Sequence, residues 1–454
     1  MKDLAYDLVA AAATKYESLP ADVVEITKKF MLDTLATMIA GSNASGCQNV
    51  VEQVKDWGGK EESTVLVYGG KVISSNAALA NSMMGHALDL DDTHDSATLH
   101  ANVSVLPASL ALSERVGNVT GKDLIAAVAA GVDILCRLGL SVSGPLNWVL
   151  SSTVGYFGAT IAAGKILGLG ENKLLHALGI AYSQCAGNAQ CLVDGGLAKR
   201  MQPAFAARAA VLSALLAERG ITGATNIFEG QYGFFPLYYG NKYDRDKVVK
   251  ELGKEFEGKN LSIKLYPCCR YTHGSIDATL SIVRENDIRP DDVAEVIVHV
   301  TQNAYDFVGK PFEIRKSPQV DAQFSIPYTV ATAIIKRDVF IDDFFEKKIK
   351  TDNQVLQLAE EIKVVVDQKP IAKGLTPCVV EIKTRNGEVY AQRVEILRGD
   401  PRKPLEMEEI GQKFRKCAAF SARPISGENI EQVITSVSHL EDVENIAGVI
   451  ELLG

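Results

Sequence analysis

The chain has 454 residues, of which 47% are hydrophobic and 23% charged, so it carries enough apolar material for two or three cored domains. Disordered and fibrous classes are thereby excluded. Fifty-six acidic against 47 basic residues give a net charge of −9. With no Lys/Arg-rich stretch, that balance argues against nucleic acid as a partner.

The first segment, MKDLAYDLVAAAATKY, is amphipathic and carries Asp3 and Asp7, so it reads as neither a secretory signal nor a transit peptide. Residues 21–40 follow Pro20 with apolar positions near helical spacing, and Gly41-Ser42 ends that helix. Residues 65–68 form a short β-like fragment before Gly69-Gly70. Apolar helices are then expected over 77–90, 104–116, 122–140, 155–167, 173–190 and 203–219. They are rich in Ala and Gly, which permits close helix–helix approach. The stretch 138–164 is free of charge, but Pro145, Asn147 and several hydroxyl residues make it a buried or site-lining segment rather than a membrane span. These elements predict a compact all-α domain.

The rhythm changes near residue 260. Residues 293–300 (VAEVIVHV) alternate with period two, as a half-buried strand does. A second strand is expected at 362–366. Residues 378–383 and 388–394 flank Arg385-Asn386-Gly387, a hairpin signal in which Asn-Gly accommodates two positive φ angles. Helices at 274–285 and 325–336 lie among these strands, and the tail from Glu406 returns to helix. The fold class is therefore mostly α: a large helical domain of residues 1–259 with 400–454, and a smaller α+β domain of residues 260–399. The eight cysteines are dispersed without a CxxC pair, which predicts reduced thiols and a cytoplasmic location.

Three polar clusters interrupt the apolar helices. The densest runs from His86 to His100 and holds Asp89, Asp91, Asp92, Thr93, His94 and Asp95. Buried charges cost several kcal/mol each unless paired or used, on the order-of-magnitude scale for such groups. A solvated loop is the bland alternative, and His86 alone reads equally well as a satisfied core histidine. The second cluster sets Lys199, Arg200 and Gln202 after Gly195-Gly196, where two cations suit a substrate carboxylate. A surface basic pair explains it equally well. The third runs from Lys264 through Tyr266, Cys268, Cys269, Arg270 and His273, at the expected domain junction. Here His273 reads as a ligand, an acid/base or a helix N-terminal hydrogen-bonder. A fourth, weaker element places Gln323, Ser325 and Tyr328 at a helix start. Dinucleotide, P-loop, HExxH and nucleophile-elbow motifs do not occur.

Taken in order, these segments resemble the MmgE/PrpD family, whose members include 2-methylcitrate dehydratase, cis-aconitate decarboxylase and iminodisuccinate epimerase. The resemblance spans LDTLATMIAGS, HALDLDDTH with His100, LAKRMQPAFAARAAVLSALLAERGITG, KLYPCCRYTH, AQFSIPY and GDPRKPLEMEEIGQKF. It implies a helical domain with an α+β lid, a homodimer, and catalysis of a small di- or tricarboxylate without metal or organic cofactor. It carries catalytic positions onto Asp89, Thr93, His100, Lys199, Lys264 and Tyr328, with Arg200, Gln202, Cys269, Arg270 and His273 as substrate-binding candidates. Two positions depart: Val149 stands where dehydratase- and decarboxylase-like members often have histidine, and Cys269 where the decarboxylase pattern has one.

The implied chemistry is proton removal from a carbon beside a carboxylate. Lys199 and Lys264, with Arg200 or Arg270, would clamp carboxylates and stabilise enediolate charge. His100 would move the proton, Asp89 would orient an imidazole, and Thr93 and Tyr328 would hydrogen-bond the substrate. On sequence alone a dehydratase ranks first, an epimerase or isomerase second and a decarboxylase third. Two rivals remain. Asp91 to Asp95 matches the DDxxD pattern of all-α isoprenoid synthases, which predicts magnesium and a wholly helical chain. A non-catalytic binding protein on the same fold predicts ligand binding without turnover.

Overall fold

The computed structural model describes residues 2–143, 147–367 and 377–454. Its contacts divide into two compact units: Met1–Ile263 with Leu405–Gly454, and Lys264–Pro404. Pro145, part of the charge-free stretch above, lies outside the described residues.

The first unit is built from apolar helices: α1 (Ala21–Gly41), α2 (Ser74–His86), α3 (Asn102–Val116), α4 (Gly121–Ser141), α5 (Gly155–Ile166), α6 (Glu171–Tyr182) and α7 (Ala198–Glu218). Helix α2 lies at its centre, buried along its described length and packed on α1, α3 and α7. Thr120 and Asp123 close a capping box at the start of α4. By length and composition α4 could cross a membrane, yet 94% of its apolar window is buried inside this unit. Its Asp133 and Arg137 pair at 2.8 Å, and the guanidinium also donates to the carbonyls of Val248, Lys250 and Glu255. Helices α4 and α5 meet backbone to backbone: a Cβ on Gly131 would lie 2.7 Å from the Gly158 carbonyl oxygen, and one on Gly158 2.5 Å from that of Gly131. Only glycine allows that approach.

Several boundaries differ from expectation. Residues 65–68 are not a strand; the pairing is Ser63–Thr64 with Lys71–Val72, and Val67, Gly69 and Gly70 turn the chain with positive φ. Helix α6 stops at Tyr182 rather than near 190. Helix α7 begins at Ala198, before Pro203, so Lys199, Arg200 and Gln202 are helical and not in a preceding loop. Pro203 has no N–H, and so leaves the Lys199 carbonyl without its usual i+4 donor.

The second unit contains α8 (His273–Glu285), β1 (Val293–Val300), α9 (Ile326–Lys336), β2 (Lys363–Val366), β3 (Cys378–Thr384) and β4 (Val389–Val394). Its sheet has the order β2-β1-β3-β4, with β1 and β2 parallel and the other pairs antiparallel. Val296, Val298 and Val300 turn one face of β1 into a core shared with Ile276, Val283, Val330 and Ile334. The β3–β4 hairpin turns with positive φ at Gly387 (92°) but not at Asn386. The loop carries one left-handed glycine, the geometry of a longer turn, rather than the two-residue turn that Asn-Gly suggests.

After Pro404 the chain returns to the first unit. Helix α10 (Met407–Ala418) packs on α1, and α11 (Gly427–Ser438) follows beside both.

Candidate functional site

Loop 87–101 joins α2 to α3 and carries the densest polar cluster. Two non-glycine residues in it take left-handed φ: Asp89 at 57° and Thr98 at 54°. Such conformations cost on the order of 1–3 kcal/mol each and persist only where surrounding structure imposes them. Here the fixings are visible. The Asp92 carboxylate accepts from the backbone N–H groups of Ala101 (3.0 Å) and Asn102 (3.2 Å), capping α3 from outside the helix. Thr93 exchanges two backbone hydrogen bonds with Ser262, at 2.9 and 2.7 Å. Asp95 accepts from the Ser262 hydroxyl at 2.9 Å.

At the centre lie His86, Asp91 and His100. One oxygen of Asp91, Oδ2, is 2.8 Å from His86 Nδ1 and 3.0 Å from His100 Nδ1. His100 Nδ1 also lies 2.7 Å from the Asp92 carbonyl oxygen. A carboxylate and a carbonyl can only accept, so both imidazoles donate through Nδ1. That tautomer leaves Nε2 as the basic nitrogen on each ring. The two rings meet edge to face, centroids 4.8 Å apart. Only one of them is reachable: 18% of the His100 side chain is exposed, against 1% of His86.

The electrostatics separate the roles further. Burial lowers the His86 pKa to about 4, with Lys199 adding to the effect, so His86 is neutral at pH 7. Burial alone would raise the Asp91 carboxyl, but the imidazoles of His100 and His86 outweigh it and hold Asp91 well below the usual range. Asp92 goes the other way, to about 6, through burial and the neighbouring Asp91 charge.

Lys199 supplies a cation beside this triad. Its Nζ is 3.2 Å from Asp89 Oδ1, and 26% of its side chain is exposed. Arg200 is buried and donates to the Ser45 carbonyl at 2.7 Å. The Gln202 amide donates to the Asn188 carbonyl at 2.8 Å. Thus Asp89, Thr93, His100 and Lys199 share the first unit with Arg200 and Gln202, and the last two are engaged with backbone. Val149, which precedes the helical turn Leu150–Thr153, is half-buried.

Lys264, Cys269, Arg270, His273 and Tyr328 all belong to the second unit. Lys264, Arg270 and His273 are buried. His273 sits at the start of α8 with Nε2 3.3 Å from the Cys268 carbonyl and its ring edge-on to Tyr266, 5.2 Å away. Cys269 donates its backbone N–H to the Gln323 carbonyl at 2.9 Å, and the Gln323 amide returns a bond to the Pro267 carbonyl at 2.7 Å. Tyr328 is buried and its hydroxyl donates to the Asp343 carbonyl at 2.6 Å. Burial and Asp343 push that phenol well up. All eight cysteines carry free thiols.

Sequence reasoning quoted His86 and Asp91 but gave neither a role. The signal was one of exclusion: among clustered acids, one with imidazoles five residues before and nine after it can be shared, once the loop closes. The same three side chains place one possible ligand atom each within 4.8 Å of one another. The magnesium reading required a wholly helical chain, and the second unit holds a four-stranded sheet. Asp91 and Asp92 are also spent on imidazoles and a helix end.

Comparison with known proteins agrees with this architecture. The MmgE/PrpD N-terminal domain model matches residues 9–246 and the MmgE/PrpD C-terminal domain model residues 266–439. The chain belongs to the MmgE/PrpD family. It is 28% identical to the cis-aconitate decarboxylase-like protein oryM of Aspergillus oryzae, over 97% of this chain and 94% of the relative. It is 28% identical to a cis-aconitate decarboxylase of Aspergillus terreus (94% and 91% covered) and 26% identical to that of Homo sapiens (95% and 90%). The C-terminal match runs past Pro404, so it includes α10 and α11, which fold with the first unit.

Proposed function

We propose that this protein is a lyase acting on a small polycarboxylate, with His100 moving a proton at a carbon next to a carboxylate. The observation that carries the reading is the pair of acceptors around His100 Nδ1: the Asp91 Oδ2 that it shares with His86, and the Asp92 carbonyl oxygen. They fix His100 in one tautomer and leave Nε2 as the basic nitrogen of a partly exposed side chain. Lys199 would bind a substrate carboxylate, exchanging Asp89 for it or bridging both.

Within that class the named relatives move decarboxylation of a cis-aconitate-like acid ahead of dehydration, reversing the ranking drawn from sequence alone. Loss of carbon dioxide leaves the bonding electron pair on carbon, conjugated with a remaining carboxylate; His100 Nε2, having first taken up a proton from water, delivers it there, so each turnover consumes one solvent proton. Dehydration of a 2-methylcitrate-like acid runs His100 in the opposite sense, as the base that opens the reaction. Cys269, standing where the decarboxylase has histidine, supports this second reading; Val149, where both kinds of member have histidine, does not separate the two.

Proton NMR in D2O with cis-aconitate, 2-methylcitrate, citrate, malate and iminodisuccinate separates the two. Carbon dioxide loss from cis-aconitate with deuterium entering the product is the expected result. Water loss from a hydroxy acid would establish the dehydratase instead. Absence of both turnover and exchange across the panel would overturn the lyase reading.

A further inference from the structure

Two segments that mark the family, LDTLATMIAGS and GDPRKPLEMEEIGQKF, contribute nothing to the site described so far. Each places one charged side chain in the buried interior of the first unit: Asp33 on α1 and Lys413 on α10. Their side chains are 0% and 3% exposed, and Lys413 Nζ lies 2.5 Å from Asp33 Oδ1. A buried ion pair is weak evidence for stability, since desolvation offsets most of its attraction. Its geometry therefore calls for another explanation.

That explanation lies in the third atom of the cluster. Lys413 Nζ also donates to the Leu90 carbonyl oxygen at 3.0 Å. The Leu90 carbonyl belongs to the peptide plane that joins Leu90 to Asp91. Fixing that plane fixes the direction in which Asp91 leaves the backbone, and hence where its Oδ2 meets His86 and His100. Asp33 holds the ammonium in place and is close enough to Asp91 for the two charges to interact. The loop is then held at three successive points: Lys199 on Asp89, Lys413 on the Leu90 carbonyl, and the α3 N-terminus on Asp92.

We infer that Asp33 and Lys413 are positioning residues for the proton-transfer histidine: the pair locks the Leu90–Asp91 peptide, so that the two acceptors that follow it, Asp91 Oδ2 and the Asp92 carbonyl, keep His100 in its Nδ1–H tautomer. The inference rests on the reading of His100 as the proton-transfer group, but one of its tests does not. Neither residue touches substrate in this account; both act through the Leu90–Asp91 peptide.

The decisive variant is the double substitution Asp33→Leu with Lys413→Met, which replaces the pair by apolar groups and leaves no lone buried charge. Two readouts are needed. Nitrogen-15 shifts of the histidine rings report tautomer without any substrate. In the wild type, His100 should show a protonated Nδ1 and a bare Nε2; in the folded double variant it should become a tautomer mixture. With the substrate found by NMR, kcat should fall about tenfold or more while KM stays within about threefold. A merely structural pair would lower Tm and leave both readouts at wild-type values, and that result overturns the inference. If no acid turns over, the tautomer measurement still decides it, separately from the functional reading. Asp33→Asn, which keeps volume, is the second variant should the double one not fold. It should produce the same tautomer change, and an unchanged His100 pattern there overturns the inference equally.

Discussion

The polar residues near loop 87–101 and those near residues 264–273 looked alike in the sequence, each a dense cluster between apolar helices. They are used differently. In the first, side chains bond to side chains: two imidazoles share one carboxylate, and a lysine meets an aspartate beside them. In the second, His273, Gln323 and Tyr328 direct side-chain donors onto backbone carbonyls. Bonds between titratable groups set protonation states and can change during a reaction. A carbonyl has no second protonation state to offer, so a bond to one holds a chain path or fixes its donor's tautomer. On the proposed reading proton transfer falls to the first region, while the bonds made by Gln323 and Tyr328 hold the chain path in the second.

The largest effect expected from that contrast is at His100. His100→Asn should lower kcat by roughly 10²–10⁴-fold, the usual range for a lost general acid or base. Circular dichroism and Tm should stay near wild type; full activity would remove the contrast at its root. Lys199→Ala comes next, with KM raised about tenfold, equivalent to ~1.4 kcal/mol of carboxylate binding. Unchanged KM and kcat would confine Lys199 to its pairing with Asp89.

Asp92 sharpens the comparison through pH. Its folded pKa of about 6 lies above the ordinary aspartate value of 3.8, so the folded protein holds that proton more tightly than the unfolded chain. The stability gained is full below pH 3.8 and is lost as pH rises through 6. Asp92→Asn lacks this dependence. Relative to the variant, wild type should therefore lose on the order of 2–3 kcal/mol between about pH 4 and 7, at ~1.4 kcal/mol for each pH unit that separates the folded from the unfolded pKa. Urea unfolding of both proteins at the two pH values checks this, and a constant difference would show that Asp92 ionises normally.

The smallest effect belongs to Tyr328. Tyr328→Phe should cost about 1 kcal/mol of stability, for the unsatisfied Asp343 carbonyl, and leave kcat within about threefold. A hundredfold loss of kcat would give Tyr328 a part in proton transfer and erase the distinction between the regions.

Legibility in the sequence followed the range of the interactions. Strand β1 was readable to the residue because VAEVIVHV alternates and nothing competes. Helix α4 was readable because its apolar positions run unbroken between a Thr cap and the residues after Ser141. The start of α7 was missed because Pro203 looks like a helix beginning, while tertiary packing sustains the helix through it. In the site, the cluster itself was legible and its wiring was not. Which of four carboxylates meets the imidazoles depends on left-handed turns at Asp89 and Thr98, residues with no strong preference for that conformation. Asp33 and Lys413 lie 380 positions apart, beyond any local signal. Asp33 still left a trace, as a lone acid in the stretch of α1 buried on every side.

The return of α10 to the first unit also sets an order of events during synthesis. Asp33, His86, Asp91 and His100 all leave the ribosome with the first 263 residues, but Lys413 follows 150 residues after Ile263. At ~5–20 residues per second that is a wait of roughly 10–30 s. Through it, Asp33 would be an unmatched charge in a helix otherwise destined for the interior, and α1 has no α10 to cover it. The nascent helical unit thus stays unfinished until the whole of the second unit has been made and α10 emerges to close over α1.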